Sequence, residues 1–153
     1  MIYCPISSAT NWQALPANDK RSYYFDTDSI KYLKAFAWDK LKTTDGLNKN
    51  VVTVFTKTII DADDDWGSDV NDHNYGNLKN VGSIISKNQY DFSTMTCIEL
   101  ALYVYDKEGN TLLINDDMYL QNYIAPSTPE DSFFHQIKNY TTDHSVEIAK
   151  KSQ

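Results

Sequence analysis

A chain of 153 residues with 41% apolar and 13% aromatic residues can build one domain with a real core, which excludes wholesale disorder. Twenty-one acidic residues against 14 basic ones give a formal net charge of -7. That balance weighs against a nucleic-acid binder or a polybasic membrane binder, both of which need clustered Lys and Arg. No run approaches the roughly 18 uninterrupted apolar residues of a bilayer-spanning helix, so no membrane-spanning segment is expected.

The opening Met1-Ile2-Tyr3-Cys4-Pro5 lacks the basic start and apolar stretch of a signal peptide. Either Met1 is the native start and the protein is cytoplasmic, or a leader absent from this chain has been removed. Residues 1–21 read as an irregular N-terminal segment with Trp12 and Leu15 as docking anchors. Tyr23-Tyr24-Phe25-Asp26-Thr27-Asp28-Ser29-Ile30 reads as a short aromatic strand running into an Asp/Ser turn. Asp26 and Asp28 are a carboxylate pair by spacing. Beside a turn, such residues more often bind their own backbone than do acid–base work.

From 30 to 38 two periods compete. Ile30, Tyr32, Lys34, Phe36 and Trp38 alternate as in a strand, whereas Leu33, Phe36, Ala37 and Leu41 fit a helix. The strand is favoured, because Thr43-Thr44-Asp45-Gly46 then makes a turn before β-branched residues. Val51 to Ile60 is the clearest strand. Val81 to Asp91 and Thr94 to Asp106 follow as strands, and Lys107-Glu108-Gly109-Asn110 turns the chain back into Thr111–Ile114. Short turns between neighbouring strands mean antiparallel pairing.

Ser127 or Thr128 caps a helix with Pro129 in its first turn and Glu130 and Asp131 next; Phe133, Phe134, Ile137 and Tyr140 line one face. The tail, 141–153, reads as frayed. The expected architecture is one α+β domain over 1–153: a single antiparallel β-sheet of about five to six strands with a C-terminal α-helix packed on one face.

Residues 61–81 interrupt this pattern as an acidic inserted loop. Asp61, Asp63, Asp65, Asp69 and Asp72 occupy positions 1, 3, 5, 9 and 12 of a calcium-loop template, which supplies hard oxygens to the ion. Trp66 stands where the template needs Gly, Gly67 comes one place late, and Asp72 is shorter than the usual Glu. The alternatives are a solvated acidic loop, or a recognition loop in which Trp66 and Tyr75 amid Asp63, Asp64 and Asp65 hold a basic protein partner. Cys4 and Cys97 suit either one disulfide or two separate thiols.

His73, His135 and His144 are scattered. No G-x-S-x-G elbow, C-x-x-C pair or phosphate-cradling Gly loop occurs, so no catalytic residue and no cofactor are expected, calcium apart. An exposed edge of an aromatic sheet can take a partner strand or dimerise.

The order of motifs resembles the surface-adhesin protein E family of Gram-negative bacteria. The resemblance is carried by an N-terminal Trp12, the segment Tyr23–Ile30, the stretch Ser86 to Asp91 leading to a strand around Cys97, and Ile124-Ala125-Pro126-Ser127 opening a helix at Glu130. It implies a small exported protein, periplasmic or on the outer-membrane surface. It also implies an antiparallel sheet with a C-terminal helix, adhesive binding of a protein ligand, and no catalytic set. Family members carry a second Cys in that helix, bridging to the sheet. Here Phe133-Phe134-His135-Gln136-Ile137-Lys138 has none, which leaves Cys4 as the alternative partner of Cys97. The charge of -7 supports a different expectation, an acidic inhibitor or immunity-type protein that neutralises a basic toxin or enzyme.

Overall fold

The computed structural model describes residues 10–16, 21–38, 40–61, 69–72 and 76–153. Among these, eight strands make one antiparallel sheet: β1 (Trp12–Leu15), β2 (Arg21–Asp26), β3 (Lys31–Lys34), β4 (Leu47–Ile60), β7 (Val81–Asp91), β8 (Thr96–Asp106), β9 (Thr111–Asn115) and β10 (Leu120–Tyr123). Two more, β5 (Asp69–Asp72) and β6 (Gly76–Lys79), pair as a separate ribbon. Two helices close the order, α1 (Pro129–Asp143) and α2 (Ser145–Ser152).

The long strands β4, β7 and β8 form the centre, and each margin is shared by two shorter strands. β2 pairs the C-terminal half of β4 and β3 pairs its N-terminal half. On the far side β9 runs beside Leu102–Tyr105, while β10 runs beside Thr96–Glu99. Alternation along the strands sends Phe25, Tyr32, Val52, Val54 and Tyr90 to one face, where Phe134, Ile137 and Ile148 of the helices cover them. Phe134 meets Tyr90 and Phe92 edge-on, with centroids 6.1 and 5.4 Å apart. The opposite face carries a smaller cluster of Ile85, Ala101 and Tyr103, with Trp12, Phe55 and Tyr105 against it and Lys57 Nζ 5.8 Å from the Trp12 ring.

The α+β class, the antiparallel sheet and the C-terminal helix agree with the sequence. The differences lie at the margins. The main sheet has eight strands rather than five or six, because β1 and β10 are only four residues long and too short to register a period. The segment 1–21 is not irregular throughout: Trp12 to Leu15 pairs with β2, and Leu15 is buried in the core. Part of 61–81 is the β5–β6 ribbon rather than loop. The strand expected over 30–38 stops at Lys34.

The tail is not frayed. α1 runs to Asp143 and α2 follows, with Ile148 buried. The helix entry is as expected: Thr128 Oγ1 accepts from the Asp131 N–H at 3.2 Å behind Pro129.

Candidate functional site

The face covered by helices is not filled to its rim. Where β7, β8 and β10 meet the start of α1, a crevice of about 390 Å³ remains. Its floor is set by period-two geometry. Asn88 and Tyr90 of β7 lie on the same face as Cys97 and Glu99 of β8, the registers being Asn88 to Glu99 and Tyr90 to Cys97. Just beyond Glu99 a bulge shifts the register: β8 slips one residue between its pairings with Lys87 and Asn88. The spare Leu100 carbonyl accepts from the Met118 N–H at 3.2 Å.

The walls are Tyr123 of β10 and Thr128, Glu130 and Phe133 at the helix entry. Two carboxylates, Glu99 and Glu130, therefore border an otherwise aromatic and amide-lined recess. Ser86 Oγ donates to Glu99 Oε2 at 2.9 Å, and Asn88 Nδ2 donates to Thr56 Oγ1 at 2.7 Å. The Cys97 thiol donates to Asn88 Oδ1 at 3.7 Å.

Burial pushes this thiol up to about 12; a hydrogen bond with Tyr90 acts against that rise and the Glu99 charge adds to it. The Tyr90 hydroxyl is likewise driven well above its ordinary value by burial first and by Cys97 next. At neutral pH both stay protonated. Neither is a nucleophile or a base there, and both act as neutral donors lining the recess.

Beside the crevice the sheet ends. Among the described residues β10 has β8 on one side and no further strand of the main sheet on the other, and all four of its residues are exposed. Tyr119 and Tyr123 stand 70% and 67% exposed there. Half the backbone polar groups of such a margin point away from the sheet and can pair with another strand.

Of the site residues expected from the sequence, Cys97 is the one among the described residues that lines this crevice. Trp66, Tyr75, Asp63, Asp64 and Asp65 lie outside the described residues, as does Cys4. Of the calcium template, Asp61 follows β4, and Asp69 and Asp72 stand at the two ends of the extended β5. The described residues hold no group of three or more His, Cys, Asp or Glu placed to hold a metal ion. Cys97 is a free thiol.

Asp26 binds backbone: its Oδ1 accepts from the N–H groups of Asp28 and Asn11 at 3.1 and 3.0 Å. His135 Nε2 sits 3.2 Å from Asp131 Oδ1, and His144 Nδ1 lies 2.9 Å from the Tyr140 carbonyl. Asn88, Glu99, Tyr123 and Glu130 are not expected as site residues from the sequence. One mark was available: Glu99 is the only charged residue inside the apolar run Thr96 to Tyr105.

No protein-family model matches this chain, and a comparison with curated proteins finds no match. No described helix is long and apolar enough to cross a membrane.

Proposed function

We propose that this is a non-enzymatic, exported binding protein, adhesin-like as its resemblance to the surface-adhesin protein E family implies, and that it takes an extended segment of a protein partner along β10. The observation that carries this reading is the juxtaposition of an exposed margin strand with an acidic, aromatic-walled crevice. Strand addition supplies affinity through main-chain hydrogen bonds, and a recess beside the added strand supplies selectivity for one side chain. With Glu99 and Glu130 at its border and Tyr123 and Phe133 as walls, the recess suits the stem and cation of a Lys or Arg.

The test is surface binding of immobilised matrix and serum proteins to the full chain, beside Tyr123→Ala and Glu130→Gln, both exposed positions where the fold tolerates change. Binding by the parent that each change weakens by about tenfold or more supports the reading. Binding that neither change affects removes β10 and the crevice from it.

The same two carboxylates favour a second reading, an acidic inhibitor of a basic toxin or enzyme. Tight binding to a basic enzyme that collapses with added salt, with no affinity for matrix proteins, selects that reading.

A further inference from the structure

The loop between β3 and β4 is built to display apolar side chains. Its stem is closed by the Ala35 N–H donating to the Gly46 carbonyl at 2.8 Å, and its tip by the Lys40 N–H donating to the Phe36 carbonyl at 3.0 Å. On this frame Phe36 and Trp38 stack with centroids 5.2 Å apart and planes 11° from parallel. They are nonetheless 65% and 71% exposed, and Leu41 beyond them is 94% exposed. Three large apolar side chains exposed on one loop are unusual for a surface in water.

The charge around them is opposite to that of the whole chain. Residues 31–49 hold Lys31, Lys34, Lys40, Lys42 and Lys49 against Asp39 and Asp45, a local net of +3 within a total of -7. All five lysines are exposed, and Asp45 is already paired with Lys49 at 3.2 Å. The averaged charge that weighs against a polybasic membrane binder therefore conceals one basic end.

We propose that this loop docks on the surface of an anionic lipid bilayer, with Phe36, Trp38 and Leu41 entering the headgroup–acyl boundary and the surrounding lysines meeting lipid phosphates. The order of chemistry along the loop matches that of the interface. The apolar group forms the tip, Lys40 and Lys42 flank Leu41, and Lys34 and Lys49 stand on the strands behind. A deformable bilayer admits these exposed side chains without a preformed pocket. The rest of the chain, outside residues 31–49, carries a net charge of -10 (-7 less +3) and is repelled on balance by anionic lipid, which favours approach by this loop.

The experiment is flotation of the full chain with phosphatidylcholine vesicles that contain or lack phosphatidylglycerol. The expected result is binding to the anionic vesicles only, weakened by salt. Trp38→Ser with Leu41→Ser weakens it by at least about tenfold. Lys40→Gln with Lys42→Gln weakens it by roughly 25-fold, about fivefold for each lysine near the surface. Circular dichroism of each variant checks that the fold is kept.

Absence of flotation with anionic vesicles at low salt overturns the proposal. So does flotation that the Trp38/Leu41 variant retains in full, or equal binding to soluble polyglutamate, which would make the partner an acidic polypeptide. Tyr123→Ala leaves flotation unchanged, so membrane docking and partner binding at β10 stand or fall separately.

Discussion

The Tyr32 backbone N–H donates to Ser152 Oγ at 2.9 Å across 120 residues of sequence, and Ser152 Oγ in turn donates to the Ile148 carbonyl. Tyr32 lies on β3 at the bulge in its pairing with β4, where the ladder is interrupted and a side chain can supply the missing acceptor. Beside it, Lys151 Nζ donates to the carbonyls of Thr27 and Asp28 at 2.9 and 3.1 Å. The second helix is thus a working part of the sheet margin.

Removing the Ser152 hydroxyl leaves a buried N–H without a partner. Ser152→Ala is expected to destabilise the protein by about 1–3 kcal/mol, and Ile148→Ala by about 2–5 kcal/mol. Urea unfolding followed by circular dichroism measures both. Values within error of the parent would show that α2 is dispensable.

Gly82 marks the bulge between β7 and β8 near Val81 and Ser83. A Cβ built there falls 2.7 Å from the Asp106 carbonyl oxygen and 2.7 Å from the Lys107 Cα, both backbone atoms that cannot swing aside. Gly82→Ala should therefore lower stability by about 1–3 kcal/mol through a forced backbone shift. An unchanged melting temperature would show that the bulge has room to relax.

Three hairpin turns are each tied by an aspartate. The Leu47 N–H holds the Asp45 carboxyl below its ordinary value despite some burial, with Lys49 helping. Burial raises Asp91, but hydrogen bonds from the Ser93 hydroxyl and N–H and from the Thr94 N–H outweigh it and bring it down. At Asp106 the Asn110 side chain leads, joined by the N–H groups of Asn110 and Glu108 at 2.7 and 3.0 Å.

Each folded value lies below the unfolded one, so the folded state holds fewer protons between them. Their contribution is present above the unfolded carboxylate value, about 3.9, and is lost as pH falls through the folded values. Melting temperature should therefore drop as pH is lowered from about 4, and the triple Asp→Asn variant at 45, 91 and 106 should show a flatter acid limb. A variant with the parent's slope would place the acid sensitivity elsewhere.

With its thiol pushed up to about 12 by burial, Cys97 should resist alkylation. Iodoacetamide at mildly alkaline pH, followed by mass spectrometry of the Cys97 peptide, should give labelling far slower than in the same protein unfolded in guanidinium. Equal rates would mean that the crevice opens readily to solvent.

Where the sequence repeats a period over many residues, it is legible. Val51 to Ile60, Val81 to Asp91 and the α1 stripe of Phe133, Phe134, Ile137 and Tyr140 were readable because their faces are buried on one side. Beta1 and β10 are harder, since four residues hold too few repeats and their pairing is decided by distant strands. The run from Ile30 to Trp38 misled by fitting two periods. Its outer half obeys neither, because Phe36 and Trp38 pack on each other instead of on the core. The crevice is invisible for a similar reason: Asn88, Glu99, Tyr123 and Glu130 come from four separate elements, brought together by strand registers and a helix entry that no local pattern announces.

The helices follow every strand of the sheet in chain order, and this orders the folding of the sheet during synthesis. As synthesis proceeds from the N-terminus, β2 to β8 can zip together hairpin by hairpin, yet Ile30, Tyr32 and Val52 stay wet until 129–152 arrive. A nascent chain halted before α1 would carry a completed meander with one bare greasy side, a substrate for holding chaperones and proteases and not yet a finished protein.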